Sequence, residues 1–289
     1  MTRIGLIGVG RMGRNYARIF ADHPDIRLDP VDPPLGLEAL HRSNWDGAII
    51  AAPTRLHHAL AAPLLDAGLP VLIEKPLAAT LDEGATLACH AACFVGHVER
   101  FNPATVAIPA RPRFVQAERI AVWVDRGIDV DVVLDLMVHD LDLFLHRCPG
   151  DPVVDVRANG VRVATADIDL AQARVELASG AVGTFTASRV SRRQSRTWRA
   201  FDADGTYTSV DFGARQALRV TWERGGDAPG PREAAIDLPV HNALEQQVLA
   251  FVDVIRGGSS DRLATATQGL AALELAWRIR EAIGTASVS

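Results

Sequence analysis

Residues 3–13 read RIGLIGVGRMG. Arg3-Ile4-Gly5-Leu6-Ile7 is a short apolar run of strand character, and Gly8-Val9-Gly10-Arg11-Met12-Gly13 follows it without a gap. Asn15 to Phe20 then carries apolar residues at helical spacing and ends before Asp22-His23-Pro24. Glycines spaced G-x-G-x-x-G mean little alone. Between a strand and a helix they form the Rossmann dinucleotide fingerprint. The first glycine makes the turn, the second lets a pyrophosphate approach the backbone, and the third lets helix pack on strand. Free N–H groups and the positive end of the helix dipole then face the phosphates. Gly8, Gly10, Arg11, Met12 and Gly13 are therefore candidate cofactor-binding residues, with a purely structural glycine turn as the alternative.

The second strand pattern, Ile26 to Asp32, ends in a carboxylate 22 residues after Gly10. An acid near that spacing accepts the ribose hydroxyls and repels a 2′-phosphate. Asp32 is preferred over Asp29 because it lies at the strand's end, and it favours NAD over NADP. An ordinary turn aspartate before Pro33-Pro34 is the alternative. A regular Rossmann half would next place a helix, a third strand and another helix. Only Pro33 to Asp46 is available, enough for one short helix near Leu37 to His41. The strand order 3-2-1-4-5-6 puts strand 3 at an edge, so its loss leaves the sheet intact. The sequence predicts a Rossmann domain truncated at that edge.

Gly47 to Ala52 reads as the next buried strand, ending at Pro53-Thr54, and a helix over 57–67 stops at Gly68. Then come Val71-Leu72-Ile73-Glu74-Lys75-Pro76 and, later, Phe94 to Pro103. Strands alternating with helices in this rhythm indicate an α/β fold with a doubly wound parallel sheet. Such sheets bind ligands beyond the carboxyl ends of their strands. Asp32, Pro53-Thr54, Glu74-Lys75-Pro76 and Arg100-Asn102 all fall at such ends. Lys75 can present its ammonium to a substrate hydroxyl or carbonyl, and Pro76 can fix the turn, as a cis bond would. A salt-bridged Glu-Lys pair at a strand end is the alternative.

Charge and composition narrow the function class. The net charge of −5 is spread over interspersed acids and bases, which gives no footprint for nucleic acid or an anionic membrane. No apolar run approaches the roughly 18 residues needed to cross a bilayer, and the N-terminus lacks the pattern of a signal peptide. Cys89, Cys93 and Cys148 make an odd count without C-x-x-C spacing, as expected for reduced thiols in a cytoplasmic protein. Cys89-His90 with Cys93 looks faintly like a metal cluster, but an alanine-rich helical stretch favours packing.

E-K-P in this position, after G-x-G-x-x-G and P-T-x-x-H (Pro53, Thr54, His57), resembles the Gfo/Idh/MocA oxidoreductase family over essentially the whole chain. The resemblance implies a Rossmann domain, here 1–105, and an α+β domain with a large, mostly antiparallel open sheet, here 106–289. It implies that Lys75 is catalytic and that Pro53, Thr54, His57, Glu74 and Lys75 lie at the cofactor. The family's second motif, Asp and His four residues apart on a helix, is present as Asp135 and His139. GHVERFNPA (96–104), DVDVVLDLMVHDLDL (129–143) and TASRVS (186–191) resemble the branch acting on UDP-N-acetylglucosamine. That branch oxidises the sugar 3-hydroxyl with NAD, and an aminotransferase then makes a 3-amino sugar for lipid A or related glycans. An inositol or aldose dehydrogenase of the same family and a non-catalytic NAD-binding sensor remain alternatives. The shortened segment after Asp32 departs from the family's usual length and leaves the details of adenine binding open.

Asp129 to Leu145 is helical by pattern, with Val132, Val133, Leu136, Met137, Leu141, Phe144 and Leu145 as its apolar face. Residues four apart share a face, so Asp135 and His139 point together. A histidine of ordinary pKa, about 6.5, suits a general base near neutral pH, and the carboxylate would orient the ring. A plain polar pair on a helix flank is the alternative. His139, Asp140, Asp142 and His146 spread around the helix and cannot all face one metal ion, so no metal site is expected.

After Pro149-Gly150 the pattern changes to strands over 153–164, 168–178, 181–190, 197–204, 206–212 and 217–223. Turns at Ser179-Gly180 and Asp204-Gly205 mark antiparallel hairpins. Such sheets often keep one open face, and the family resemblance implies that this face joins subunits of a homo-oligomer. Arg189, Arg192, Arg193 and Arg196 form a basic cluster. Guanidinium suits phosphate, which makes Arg189, with Arg100 and Asn102, a candidate substrate-binding residue. Asn242 starts a helix of the form N-x-x-E that stops at Gly257-Gly258, and a last helix covers about 265–283. Neither helix is expected to contribute chemistry.

Overall fold

A computed structural model describes residues 1–32, 44–123, 130–223, 230–259 and 261–286. The chain divides into two compact units, one of 1–101 with 241–273 and one of 102–240 with 274–289. The expected partition at residue 105 differs mainly in 241–273, which returns to the first unit. The short helix expected near Leu37 to His41 and the helix start at Asp129 lie outside the described residues.

The first unit begins with β1 (Thr2–Ile7), α1 (Arg11–Ile19), β2 (Ile26–Val31), β3 (Gly47–Ile50), α2 (His57–Asp66), β4 (Val71–Glu74), α3 (Leu81–Ala88) and β5 (Cys93–Gly96). Every residue of β3, β4 and β5 is buried, as parallel strands covered on both faces require. Helix α3 opens with a reciprocal capping box between Thr80 and Glu83 and ends at Ala88. Cys89 and His90 therefore lie beyond the helix, and Cys93 starts β5, so the helical placement expected for this stretch is corrected. The Cys93 thiol is pushed up to about 12 by burial, which keeps it protonated and inert.

The second unit contains β6 (Phe114–Val122), a helical segment from Val132 that continues as α4 (Val138–Arg147), and then β7 (Val153–Val161), β8 (Leu170–Leu177), β9 (Val182–Ser191), β10 (Ser195–Phe201), β11 (Tyr207–Asp211), β12 (Gln216–Glu223) and β13 (Gly230–Ala235). They form one sheet in the order β13-β12-β11-β10-β6-β9-β8-β7. Every neighbouring pair is antiparallel except β6 with β9, which is parallel. Val115, Ala117, Ala173, Phe185, Ala187, Trp198 and Ala200 fill the buried face, and Phe144 of α4 packs edge-on against Phe185 at 5.6 Å. The turns at Gly180 and Gly205 have φ of 83° and 86°, the region glycine enters without a Cβ penalty.

The chain then adds α5 (Ala243–Ile255), β14 (Ala264–Thr265) and α6 (Ala266–Ala286). Asn242 caps α5 through contacts from the Leu244 and Glu245 N–H groups. The first unit's sheet runs β14-β5-β4-β3-β1-β2. Its five strands β2-β1-β3-β4-β5 are parallel, the order expected for a Rossmann sheet lacking strand 3, and β2 is the edge among the described residues. Two-residue β14 pairs antiparallel with β5 at the opposite edge. Leu244, Val248, Phe251 and Val252 of α5 join Ile4, Leu6, Tyr16, Ile49 and Leu72 in one buried cluster.

Candidate functional site

Parallel pairing brings the carboxyl ends of β1, β3 and β4 to one edge of the first sheet. There, Gly8, Val9, Gly10, Asp32, Ala51, Ala52, Pro53 and Leu56 line a cleft of about 440 Å³. The three glycines divide their work. Gly8 has φ of 102°, and a Cβ there would meet the Ala51 carbonyl oxygen at 2.6 Å. A Cβ on Gly13 would stand 1.9 Å from the Gly8 carbonyl oxygen. A Cβ on Gly10 would meet nothing within 4 Å. The first and third glycines are demanded by the protein's own packing, whereas open space lies over the second, at the start of α1. That space beside a helix N-terminus fits a dinucleotide pyrophosphate.

Asp32 is exposed in this cleft. Asp29 is already engaged: Arg3 and Arg27 each reach it at 2.8 Å, and the Trp45 indole N–H at 3.2 Å. Burial works against the Asp29 charge, but the hydrogen bonds from Arg3 and Arg27 hold its carboxyl below its ordinary value. Among the other candidates, Arg11 is exposed and Met12 packs against the core cluster. Thr54 opens a 3-10 turn over Thr54–Leu56.

His57 differs from the expected cofactor contact. Its ring is buried, with Nδ1 2.9 Å from the Pro76 carbonyl oxygen and Nε2 3.0 Å from that of Ala52. It ties the end of β3 to the turn after β4. Burial lowers its pKa, against the backbone contacts with Ala52, Pro76 and Leu77 that raise it, and the ring holds the two turns together inside the unit.

Lys75 follows directly on β4, half-buried, and the Lys75–Pro76 peptide is cis. Lys75 is also the only lysine among the 30 lysines and arginines of the chain. Arginine serves everywhere else, and a compact ammonium stands only at this strand end. That count was a legible signal that motif reasoning left unused. Glu74 turns its side chain into the unit: the Tyr16 hydroxyl donates to its Oε1 at 2.5 Å, and Gln247 Nε2 donates to the Tyr16 hydroxyl at 2.8 Å. Burial pushes the Glu74 carboxyl up, against the Tyr16 hydrogen bond and the Lys75 ammonium and backbone N–H. Helix α5, from which no chemistry was expected, thus supplies Gln247 to Tyr16, the residue that donates to Glu74 beside Lys75.

In the second unit, Asp135 and His139 occupy one helical segment, both half-buried. The segment is not the regular helix that the spacing suggested. Val133–Met137 form a π turn in which the Val138 N–H reaches back to the Val133 carbonyl, five residues away. Such turns are rare and frequent at functional sites. Along the segment the inward face differs from that of a regular helix: Leu134 and Leu143 are buried, Leu136 and Leu145 only half-buried, and Asp140 and Asp142 are buried as well. Asp131 starts the segment by accepting from the Val133 and Leu134 N–H groups, and Arg280 pairs with it at 2.6 Å.

The two arginines expected at the substrate are both buried. Arg189 is buried, with Nε on Asp169 Oδ1 at 2.8 Å, Nη1 on the Val130 carbonyl at 2.8 Å and Nη2 near Thr165 and Ile168. Its fork is occupied inside the unit, which favours a structural role over the expected phosphate contact. Arg100 is 4% exposed and bonds to Gln268 at 2.8 Å. Asn102 Oδ1 accepts from the Ala104 N–H and caps a 3-10 turn.

Residues 32–93 match the model of an oxidoreductase family with an NAD-binding Rossmann fold, and residues 110–210 match a GFO/IDH/MocA C-terminal domain. A UDP-N-acetylglucosamine 3-dehydrogenase of Acidithiobacillus ferrooxidans is 35% identical over 279 residues, 88% of each chain. The chain belongs to the Gfo/Idh/MocA oxidoreductase family. A solved structure of that dehydrogenase superposes with a TM-score of 0.87 and 32% identity, covering 98% of this chain and 97% of the other. A myo-inositol dehydrogenase of Streptomyces leeuwenhoekii is 28% identical over 90% of each chain. As a member of this oxidoreductase family, the chain carries an NAD-binding Rossmann unit, and among the described residues the cleft over Gly10 offers open space at a helix N-terminus.

Proposed function

We propose that the chain is an NAD-dependent sugar dehydrogenase that oxidises the 3-hydroxyl of UDP-N-acetylglucosamine to a ketone. The observation that carries the reading is Lys75, the only lysine in 289 residues, at a strand end in the unit that holds the dinucleotide cleft. The substrate class rests on the relative that is 35% identical, and the preference for NAD rests on the exposed carboxylate of Asp32 in the cleft.

Gly8, Gly10 and the first N–H groups of α1 would hold the pyrophosphate, and Asp32 the adenosine ribose. The cofactor, when bound, supplies hydride acceptance. His139 takes the hydroxyl proton on an imidazole nitrogen, oriented by Asp135. Lys75 stabilises the charge that develops on the hydroxyl oxygen, a preorganised electrostatic contribution that often dominates catalysis. The ketone is a substrate for an aminotransferase, and the enzyme works as a homo-oligomer. Three free cysteines fit a reducing, cytoplasmic setting, and no described helix is long and apolar enough to cross a membrane.

The test is absorbance at the NADH band after mixing protein, NAD and UDP-N-acetylglucosamine with a carbonyl trap. Wild type and Lys75→Met are run beside myo-inositol and glucose controls. NADH formed from the nucleotide sugar and lost in the variant supports the reading. NADH from inositol alone moves the enzyme to the inositol branch. Binding of NAD without turnover of any substrate, trap included, leaves a sensor and sinks the dehydrogenase.

A further inference from the structure

Tyr16, Glu74 and Gln247 come from α1, β4 and α5, and they meet inside the first unit at 0%, 8% and 0% exposure. Their hydrogen bonds run one way: Gln247 Nε2–H to the Tyr16 oxygen at 2.8 Å, then the Tyr16 O–H to Glu74 Oε1 at 2.5 Å. Packing closes round them, since a Cβ on Gly96 would stand 3.3 Å from Glu74 Oε1 and 3.4 Å from Gln247 Nε2. A lone buried carboxylate is costly and ordinarily takes up a proton. Burial raises the pKa of this one too, and against it stand a phenol, the Lys75 backbone N–H and the field of the Lys75 ammonium. The phenol keeps its own proton, because burial and the adjacent Glu74 charge hold its pKa well above the ordinary value. Tyr16 is therefore a permanent donor to Glu74. A packing role alone would be served by a phenylalanine in place of Tyr16 and a leucine in place of Gln247, with no polar group to bury.

We propose that Tyr16 and Gln247 are positioning residues for Lys75, acting through Glu74, whose carboxylate they hold as the fixed counter-ion of the ammonium. The proposal rests on the reading of Lys75 as the charge-stabilising group. An oxyanion is stabilised by a cation that stays a cation in place, and the relay supplies the countercharge from the side away from solvent. It also ties the end of β4 to α1, the helix that starts at the dinucleotide cleft.

Because Lys75 is the only lysine, its amine can be followed alone. The experiment is competitive acetylation of the cofactor-free full chain with trace acetic anhydride against a free-amine standard. The Lys75 peptide is quantified by mass spectrometry from pH 7 to 10 in wild type, Tyr16→Phe and Glu74→Gln, each checked for folding by circular dichroism. The expected result is acetylation about fivefold faster at pH 7 in both variants, with the excess vanishing toward pH 10. A merely loosened turn would raise the rate by one constant factor at every pH, and that outcome overturns the proposal. Equal rates in wild type and Glu74→Gln overturn it too. Glu74→Gln keeps an acceptor for Tyr16 and decides the matter if Tyr16→Phe does not fold. Full turnover in Lys75→Met would instead defeat the reading of Lys75 as catalytic, which the acetylation ratios do not touch.

Discussion

Arg119 meets Asp140 through two parallel contacts of 3.0 Å, Nε to Oδ2 and Nη2 to Oδ1, one residue from His139. Both side chains are 4% exposed, so neither charge has bulk water as an alternative partner. Removing one member of such a pair strands the other, at a typical cost of about 3–5 kcal/mol. Arg119→Leu is therefore expected to lower unfolding stability by about that amount. The double variant Arg119→Leu/Asp140→Leu should recover most of the loss, because neither member of the pair is left buried without the other. Urea unfolding of the wild type, both single variants and the double variant gives the coupling directly. Additive losses would show that the pair is not energetically linked.

Asp169 is fully buried and accepts from the N–H groups of Val163, Ala164 and Thr165 at 2.7–2.9 Å, from the Thr165 hydroxyl and from Arg189. Burial opposes its charge, but the hydrogen bonds from Thr165, Val163 and Ala164 outweigh it and hold the carboxyl well below the usual range. A depressed folded-state pKa gives stability that is complete above the unfolded value of about 3.9 and is lost as pH falls through the folded value. Asp169→Asn should thus be destabilised at pH 7, and its melting temperature should fall less than that of wild type between pH 5 and 2.5. Parallel melting curves over that range would contradict the assignment. Because Arg189 also holds the Val130 carbonyl, the loss should reach the segment that carries Asp135 and His139.

The parts legible in the sequence are those written within one short stretch. G-x-G-x-x-G between strand and helix, the strand ending at Glu74-Lys75-Pro76 and the Asp204-Gly205 turn each depend on local backbone needs. The relay on Glu74 was invisible because Tyr16 and Gln247 are 231 positions apart, and each reads locally as one residue on a helix. Strand β6 was missed because Arg119 takes a buried, inward position after Val115 and Ala117, which breaks the apolar alternation that marks a strand. A partner on another element, Asp140, makes that position tolerable. Arg189 was ambiguous for the same reason: a guanidinium has the same letter whether it faces a ligand or closes on Asp169. The π turn has no sequence signature, and the leucines buried along its segment differ from those of a regular helix.

Gly10 and Gly13 are separable by experiment, although the motif treats them alike. Gly10 has φ of −63° and ψ of −165°, which any residue can adopt, and open space where a Cβ would go. Gly10→Val should fold with a melting temperature within a few degrees of wild type, yet bind NAD at least about tenfold more weakly, because the branched side chain fills the pyrophosphate's place. Gly13→Ala should behave in the opposite sense, since its Cβ would press on the Gly8 carbonyl oxygen at 1.9 Å. Its stability should fall by about 1–3 kcal/mol, as overpacked sites do. Thermal melts and NADH fluorescence titrations of both variants check this. Unchanged NAD affinity in folded Gly10→Val would remove the cleft from the cofactor site.

Asp32 lies exposed in the cleft while Asp29 is closed off by Arg3, Arg27 and Trp45, so of these two carboxylates Asp32 is the one open to a ribose in the proposed site. A carboxylate accepting two ribose hydroxyls gains charge-assisted hydrogen bonds of about 1.5–3 kcal/mol each, and solvent screening keeps the effect here at the low end. Asp32→Asn should therefore bind NADH about tenfold more weakly. The same change removes the repulsion of a 2′-phosphate, so NADPH should bind more tightly to the variant than to wild type. Fluorescence titrations with both reduced cofactors, repeated at low and high salt, measure the two effects separately. The NADPH gain should shrink as salt rises, because the repulsion it relieves is between exposed charges. A ratio of NADH to NADPH affinity equal in variant and wild type would assign Asp32 to the turn after β2 and leave cofactor preference to other residues.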